Sequence, residues 1–315
     1  MHVYRWDLDK TYLETDFDSF RGLVRSATEP ASDKVAVPGA PALLRGLSGL
    51  PETRIFFLSG SPTQMREVLE EKLRLDGVRF ESLTLKDNLG NLRRGRISAI
   101  RGQLGYKLPH LLQARVGMAR QARECLFGDD AEVDALVYTL YAEAVSGRLR
   151  SDELVRVMRL GGAYGDRVDA AVGALASIPT SDCVDRIFIR LARRHPATRF
   201  SPLGSRVVPV HSWWQAALVL VEDGRLPEDA AAEVLADCVA AGDLDAFAVA
   251  GLTQDIVRRR GCSVDTVERV PMDNALQQTV LGALRRIPDP GPAQPPGGPG
   301  EEVDLGELVL AWSQG

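Results

Sequence analysis

Short apolar runs alternate with amphipathic stretches through the first 145 residues, and this alternation predicts an α/β fold built on a parallel sheet. Val3-Tyr4-Arg5-Trp6 reads as the first strand and Arg54-Ile55-Phe56-Phe57-Leu58 as a compact buried one. Weak alternation over 78–85 predicts another, and Glu124-Cys125-Leu126-Phe127 the next. Helices are expected between them: a short one over 41–50, then one over 63–74 with the apolar stripe Met65, Val68, Leu69, Leu73 and Leu75. Two more are expected over 107–118 and 134–145. Each strand ends in a polar or small-residue turn, and in open α/β sheets ligands bind at those carboxyl ends.

Beyond residue 150 the pattern predicts an inserted helix pair over 151–182. Its stripes are Leu154, Val157, Met158 and Leu160, then Val168, Val172, Leu175 and Ile178. Strand character returns over 184–191 and 206–210, and helical segments are expected over 213–221, 227–240, 243–260 and 274–286. The expected organisation is a domain over 1–226 with its helical insert at 146–182, then a helical extension over 227–287. Residues 288–300, almost all Pro, Gly, Asp, Ala and Gln, read as a flexible linker with no means of burying a core. The acidic segment 301–315 carries Val303, Leu305, Leu308, Val309, Leu310 and Trp312, enough to dock on the body or on a partner.

With 45% hydrophobic and 26% charged residues in a chain of 315, the composition is that of a globular protein and excludes wholesale disorder. A net charge of −5 argues against a general nucleic-acid binder. No apolar run approaches the roughly 20 residues of a membrane helix, and the first residues enter a strand instead of a signal peptide. Cys125, Cys183, Cys238 and Cys262 are far apart without metal-ligand spacing. They are expected to be reduced thiols of a cytoplasmic protein.

Candidate chemistry clusters where strands end. Asp7 and Asp9, with Thr11 two residues on, leave the first strand at a spacing that lets two carboxylates converge above the sheet. A divalent cation would make such a pair tolerable; the same spacing also serves ordinary turns with solvated acids. Ser59, in Leu58-Ser59-Gly60-Ser61-Pro62, offers a hydroxyl and backbone N–H groups to a phosphoryl oxygen, or simply an N-cap. Lys107 is one of only five lysines and is expected to open a helix in Gly105-Tyr106-Lys107-Leu108-Pro109. There it can neutralise phosphate, or be a solvated helix-start residue. Gly128-Asp129-Asp130-Ala131-Glu132-Val133-Asp134 again delivers carboxylates, which suit Mg²⁺, although Asp130 and Glu132 also fit as helix-capping acids.

In this order the four elements resemble the motifs of the haloacid dehalogenase superfamily of phosphohydrolases. The narrower resemblance is to the phosphatidate phosphatase catalytic domain of the actin-patch-protein-one type. It is carried by Asp7 to Thr11, Pro38-Gly39, Leu58 to Pro62, Lys86-Asp87, Tyr106-Lys107 and Leu126 to Tyr138. The resemblance implies a three-layer Rossmann-like fold and an Asp-based, Mg²⁺-dependent phosphatase. Asp7 would be the nucleophile and Asp9 the acid and base, with Ser59 and Lys107 on the phosphoryl oxygens and Thr11 and Gly60 beside them. Asp7, the carbonyl of Asp9, Asp129, and Asp130 or Asp134 would hold the metal. Lys10 departs from the acid that many relatives carry there. The 27 or so residues after motif one are too few for a cap domain, so an open site is expected. That suits a bulky or membrane-presented phosphate and equally a phosphoprotein; the loop Arg93-Arg94-Gly95-Arg96 could meet an anionic surface, but reads more readily as a solvated charged loop. The expected partner is a phosphate ester, including lipid at a membrane surface, and no nucleic acid. The competing reading is a catalytically silent phosphate-binding or scaffold protein of the same fold. For it Trp213, Trp214 and Trp312 are candidate contact residues, although paired aromatics on an amphipathic helix more often belong to a core.

Overall fold

The computed structural model describes residues 1–15, 30–86, 96–297 and 305–314, with the side chains of 96–102, 311, 313 and 314 left aside. Among the described residues six strands form one sheet: β1 (His2–Trp6), β2 (Thr53–Pro62), β3 (Ser82–Lys86), β4 (Arg123–Asp129), β5 (Val184–Arg190) and β6 (Val207–Val210). Their order is β3-β2-β1-β4-β5-β6 and every pairing is parallel. The order reverses between β1 and β4, and the crevice at that switch point is where doubly wound sheets bind ligands.

Helices cover both faces, which is why the strands are apolar on both sides. On one face lie α1 (Ala40–Ser48), α2 (Arg66–Leu75), α7 (Trp213–Glu222), α8 (Glu228–Ala240), α9 (Ala246–Arg258), α10 (Val264–Arg269) and α11 (Asn274–Leu284). On the other lie α3 (Arg96–Arg115), α4 (Asp134–Val145), α5 (Ser151–Leu160), α6 (Asp166–Ala176) and the terminal helix α12 (Leu305–Gln314). The first face is organised by an aromatic row across the sheet. Trp6, Phe127 and Phe188 are register partners on β1, β4 and β5, with ring centroids 4.1 and 4.9 Å apart, and Trp213 leans on Trp6 at 5.1 Å.

The α/β architecture expected from the hydrophobic pattern is the one observed, and it is consistent with a Rossmann-like haloacid dehalogenase fold. Several boundaries differ. β2 runs on to Pro62, so Ser59, Gly60 and Ser61 extend the strand and do not form the turn after it. Lys107 does not open a helix: α3 begins at Arg96 and carries Pro109 in its interior. The helix over Val264–Arg269 was not anticipated, being too short to show a period. Trp213 and Trp214 are wholly buried; the indole N–H groups reach the Thr11 carbonyl and the Thr253 hydroxyl, at 3.1 and 2.9 Å.

The described part of the expected linker is pinned to the body. Gln294 N–H donates to the Arg260 carbonyl, Arg186 donates to the Gln294 carbonyl, and Gly297 N–H donates to the Asp185 carbonyl. A Pro/Gly composition shows that a segment lacks apolar anchors, yet its backbone groups still bond to a neighbouring surface. The chain then reaches the opposite face, where α12 buries Leu308 and Val309 and sets Trp312 against Phe200. The loop holding Arg93, Arg94 and Gly95, the Arg96 side chain, and 16–29 of the segment after motif one lie outside what is described.

Candidate active site

Side chains alternate along β1, so Arg5 and Asp7 point away from the aromatic row toward α3 and α4. Asp7 N–H donates to the Phe127 carbonyl at 2.9 Å, extending the β1–β4 pairing to the nucleophile candidate. The next residues wind into a tight loop, with Tyr12 and Leu13 N–H both on the Leu8 carbonyl. At its apex Lys10 takes φ 60°, which a non-glycine residue holds only when its surroundings fix it. Arg190, donating to the Lys10 carbonyl at 2.8 Å, and Trp213, on the Thr11 carbonyl, do so.

The Lys107 ammonium is fully buried among three acids: Asp7 Oδ1 at 2.8 Å, Asp134 Oδ1 at 2.5 Å and Glu132 Oε2 at 3.0 Å. Gly128 makes room for this, since a Cβ there would stand 2.6 Å from that of Asp134. Asp9 lies on the β2 side, where its Oδ2 accepts from the hydroxyls of Ser59 at 3.0 Å and Ser61 at 2.8 Å. Ser59 Oγ in turn accepts from Ser61 N–H at 2.9 Å. Gly60 lets Gln103 sit close, because a Cβ there would be 2.9 Å from its amide nitrogen. Asp129 caps the following turn by accepting from Ala131 and Glu132 N–H, with the Thr11 hydroxyl 3.5 Å from its other oxygen.

Burial and excess negative charge set the protonation of this cluster. Asp7 and Asp129 are pushed well above the usual carboxylate range, first by burial and then by neighbouring acids, against the pull of Lys107. Burial also raises Asp9 and Asp134 to about 6 each; Glu132 adds to both, while the serine hydroxyls oppose it at Asp9 and Lys107 opposes it at Asp134. Burial works against the Lys107 charge, but Asp134, Asp7 and Glu132 outweigh it and hold its pKa well above normal.

The residues fit a hard divalent cation. Ligand atoms of Asp7, Glu132 and Asp134 lie within 4.8 Å of one another, and Asp7 Oδ2 and Asp134 Oδ2 are buried with no hydrogen-bond partner among the described residues. Lone pairs left unfilled on buried carboxylates are costly in a folded interior unless a ligand takes them. One ammonium among this many acids leaves charge that a cation would neutralise.

The expected metal residues do not all converge. Asp7 and Asp134 meet, with Asp129 in the same buried strand end. Asp130 is turned away: its carboxylate accepts from Arg193 N–H at 2.7 Å, His195 N–H at 3.2 Å and the His195 ring at 3.0 Å. It organises the loop after β5. Glu132, read from sequence as a capping acid, instead reaches Lys107, and Ser61 joins Ser59 on Asp9. Neither has a local signature; each emerges only once β2, α3 and β4 are side by side.

A parallel sheet with a carboxylate–lysine cluster at its switch point defines an α/β protein whose architecture is consistent with a Rossmann-like haloacid dehalogenase fold. Residues 6–151 match the family described as phosphatidate phosphatase APP1, catalytic domain, in agreement with the resemblance carried by the motifs. The match supports a phosphatase, with phosphohydrolase activity of the phosphatidate phosphatase kind. Comparisons with curated proteins and with solved structures returned no match. Among the described residues no helix is long and apolar enough to cross a membrane.

Proposed function

We propose that this chain hydrolyses a phosphomonoester through an aspartyl-phosphate on Asp7, with Mg²⁺ held by Asp7, Asp134 and Glu132 and with Asp129 alongside. The carrying observation is the buried Asp7 carboxylate just beyond β1, with Oδ1 fixed by Lys107 and Oδ2 without a hydrogen-bond partner among the described residues. A carboxylate oxygen of Asp7 attacks phosphorus as the bond to the leaving oxygen breaks, and Asp9 gives that oxygen its proton. Water then attacks the same phosphorus, Asp9 takes the water's proton, and the Asp7 carboxylate leaves. With burial lifting it to about 6, Asp9 keeps a share of its proton near neutral pH, as an acid in the first step must. Lys107 stays charged and holds Asp7 in place; with Ser59 and the backbone at Gly60 it would bind the phosphoryl oxygens, beside Thr11. When bound, Mg²⁺ supplies positive charge to the phosphoryl oxygens.

The proposed substrate is a bulky phosphomonoester, with phosphatidate at a membrane surface as the lipid candidate on the strength of the family matched by residues 6–151. The proposed setting is cytoplasmic, peripheral to the membrane. The test is phosphate release from phosphatidate vesicles and from an aryl phosphate, with and without Mg²⁺. Metal-dependent release is expected, reduced about 10³-fold or more in Asp7→Asn. Release that survives this substitution would exclude Asp7 as nucleophile, and cleavage of the aryl phosphate alone would remove the lipid assignment.

A further inference from the structure

Two cations outside the acid cluster form no ion pair among the described residues, Asp87 lying outside them. Lys86 ends β3 in register with Pro62, beside the Ser59–Ser61 strand end, and its ammonium lies 5.6 Å from the ring centroid of Tyr106, the residue before Lys107. Arg167 comes from α6, beyond the span that matches the phosphatase family. It packs on α3 at Gly105: a Cβ there would meet Arg167 Cδ at 3.3 Å and Nη1 at 3.5 Å, so the glycine lets the guanidinium side chain lie two residues from Lys107. Gly161 packs against Leu104 and Ala163 against Gly105, fixing the α5–α6 turn on the same stretch of helix.

Lys86 and Arg167 are both partly buried, and among the described residues neither forms an ion pair. Glu132, the acid whose charge Lys86 feels, is engaged by Lys107. Both side chains rest on one stretch of α3, Lys86 over Tyr106 and Arg167 against Gly105, and burial with repulsion from Arg167 lowers the Lys86 pKa. Paired cations without a counter-charge are costly, and an anion between them removes the cost. They lie outside the fully buried cluster in which Asp7 and Lys107 would hold the scissile phosphate, and so address a different group.

We propose that Lys86 and Arg167 form a subsite for a second anionic group of the substrate, making phosphomonoesters that carry a further phosphate or carboxylate the preferred class. The proposal rests on the phosphohydrolase reading above and narrows its substrate class away from phosphatidate, which carries no anionic group besides the scissile phosphate. The planar guanidinium takes one edge of the anion and the ammonium approaches from the β3 side. The helical insert would thereby set specificity, while the strand ends perform the chemistry.

The experiment compares kcat/KM for hydroquinone bisphosphate and phenyl phosphate, in Mg²⁺, for the wild type and for Lys86→Met, Arg167→Met, Arg167→Lys and Arg156→Met. The wild type is expected to prefer the bisphosphate. Lys86→Met and Arg167→Met should each cut the preference ratio by about tenfold, the usual scale for losing a charged hydrogen-bond partner. Arg167→Lys should retain most of it, and Arg156→Met, an exposed arginine elsewhere on the insert, all of it. A wild type without preference, a ratio that neither Met variant lowers, or an equal loss in Arg156→Met would overturn the subsite. Absence of any turnover would count against the phosphohydrolase reading, and calorimetry on Asp7→Asn with the same two compounds would then decide the subsite separately. Tighter binding of the bisphosphate that Lys86→Met removes would retain it, and equal binding would end it.

Discussion

Two buried charge clusters stand two residues apart, at Arg5 on β1 and at Asp7 just past its end, facing the same helices, and they are built on opposite rules. In the first, Glu124 takes Arg5 at 2.6 Å, Arg115 at 2.8 Å and the Tyr141 hydroxyl on both oxygens. Arg115 also donates to the carbonyls of Ala119, Arg120 and Ala122, and Arg5 lies over the rings of Phe56 and Tyr141. None of these side chains leaves a buried polar atom unpartnered. In the second, Lys107 serves three acids, and oxygens of Asp7 and Asp134 have no hydrogen-bond partner among the described residues. The saturated cluster holds the sheet to α3 and α4; the unsaturated one could hold a metal. Perturbed carboxyls gather where partners are withheld.

The comparison is broken most directly by removing one acid from each cluster. Glu124→Gln strands two buried arginines and should cost about 3–5 kcal/mol of stability in urea unfolding. Asp7→Asn, by contrast, removes a carboxyl whose neutral form burial already favours, so the metal-free protein should unfold no more easily. Equal losses from the two substitutions would show that the site cluster is structural after all.

Protonation offers a second separation. The carboxyls of Asp9 and Asp134 are raised to about 6 in the fold, from an ordinary value of 3.8. Their neutral forms are the favoured ones, so their contribution to stability is complete below the ordinary value and is lost as pH rises through about 6. In EDTA the melting temperature should therefore fall between about pH 4 and pH 7, and Asp134→Asn should flatten the fall. Mg²⁺ should restore stability at the upper end, by about 2.7 kcal/mol at a hundredfold excess over its dissociation constant. A melting temperature indifferent to Mg²⁺ at neutral pH would leave the site without its cation.

The same contrast explains what could be read from the chain. Asp7, Asp9, Ser59 and Asp129 were legible because each sits at a strand end, and a strand end is a local pattern. Lys107 was legible as a residue but not in its setting, because Gly105 and Pro109 imitate a helix start while α3 in fact runs through them. Glu132 and Asp130 were not separable: both are acids before α4, and their roles depend on whether α3 or the loop after β5 lies opposite. Gln103, Lys86 and Arg167 come from three different elements, and no spacing in the chain announces their approach. Glu132→Gln should raise the Mg²⁺ concentration for half-maximal activity about tenfold, while Asp130→Asn should cost about 1 kcal/mol of stability and leave that requirement in place. The reverse result would return Asp130 to the metal set.

The smallest effect is expected farthest from both clusters. The chain at 294–297 crosses near the amino ends of β4 and β5, bonded to Arg186 and Asp185, before α12 packs on α4 and α5. It links the two helical layers outside the sheet, yet rests on few anchors: Leu308 and Val309 are buried, and Trp312 lies between Phe200, at 5.8 Å, and the Arg199 guanidinium, at 5.2 Å. Aromatic and cation–π contacts at a partly exposed site are worth about 1 kcal/mol together. Trp312→Ala should therefore lower stability by about that amount, with turnover and the Mg²⁺ requirement unchanged. Because α12 leans on α5, whose turn into α6 carries Arg167 toward the site, the informative failure is a loss of bisphosphate preference in Trp312→Ala. That outcome would make the terminal helix a support for the specificity element, where the packing alone assigns it only the closing of a surface.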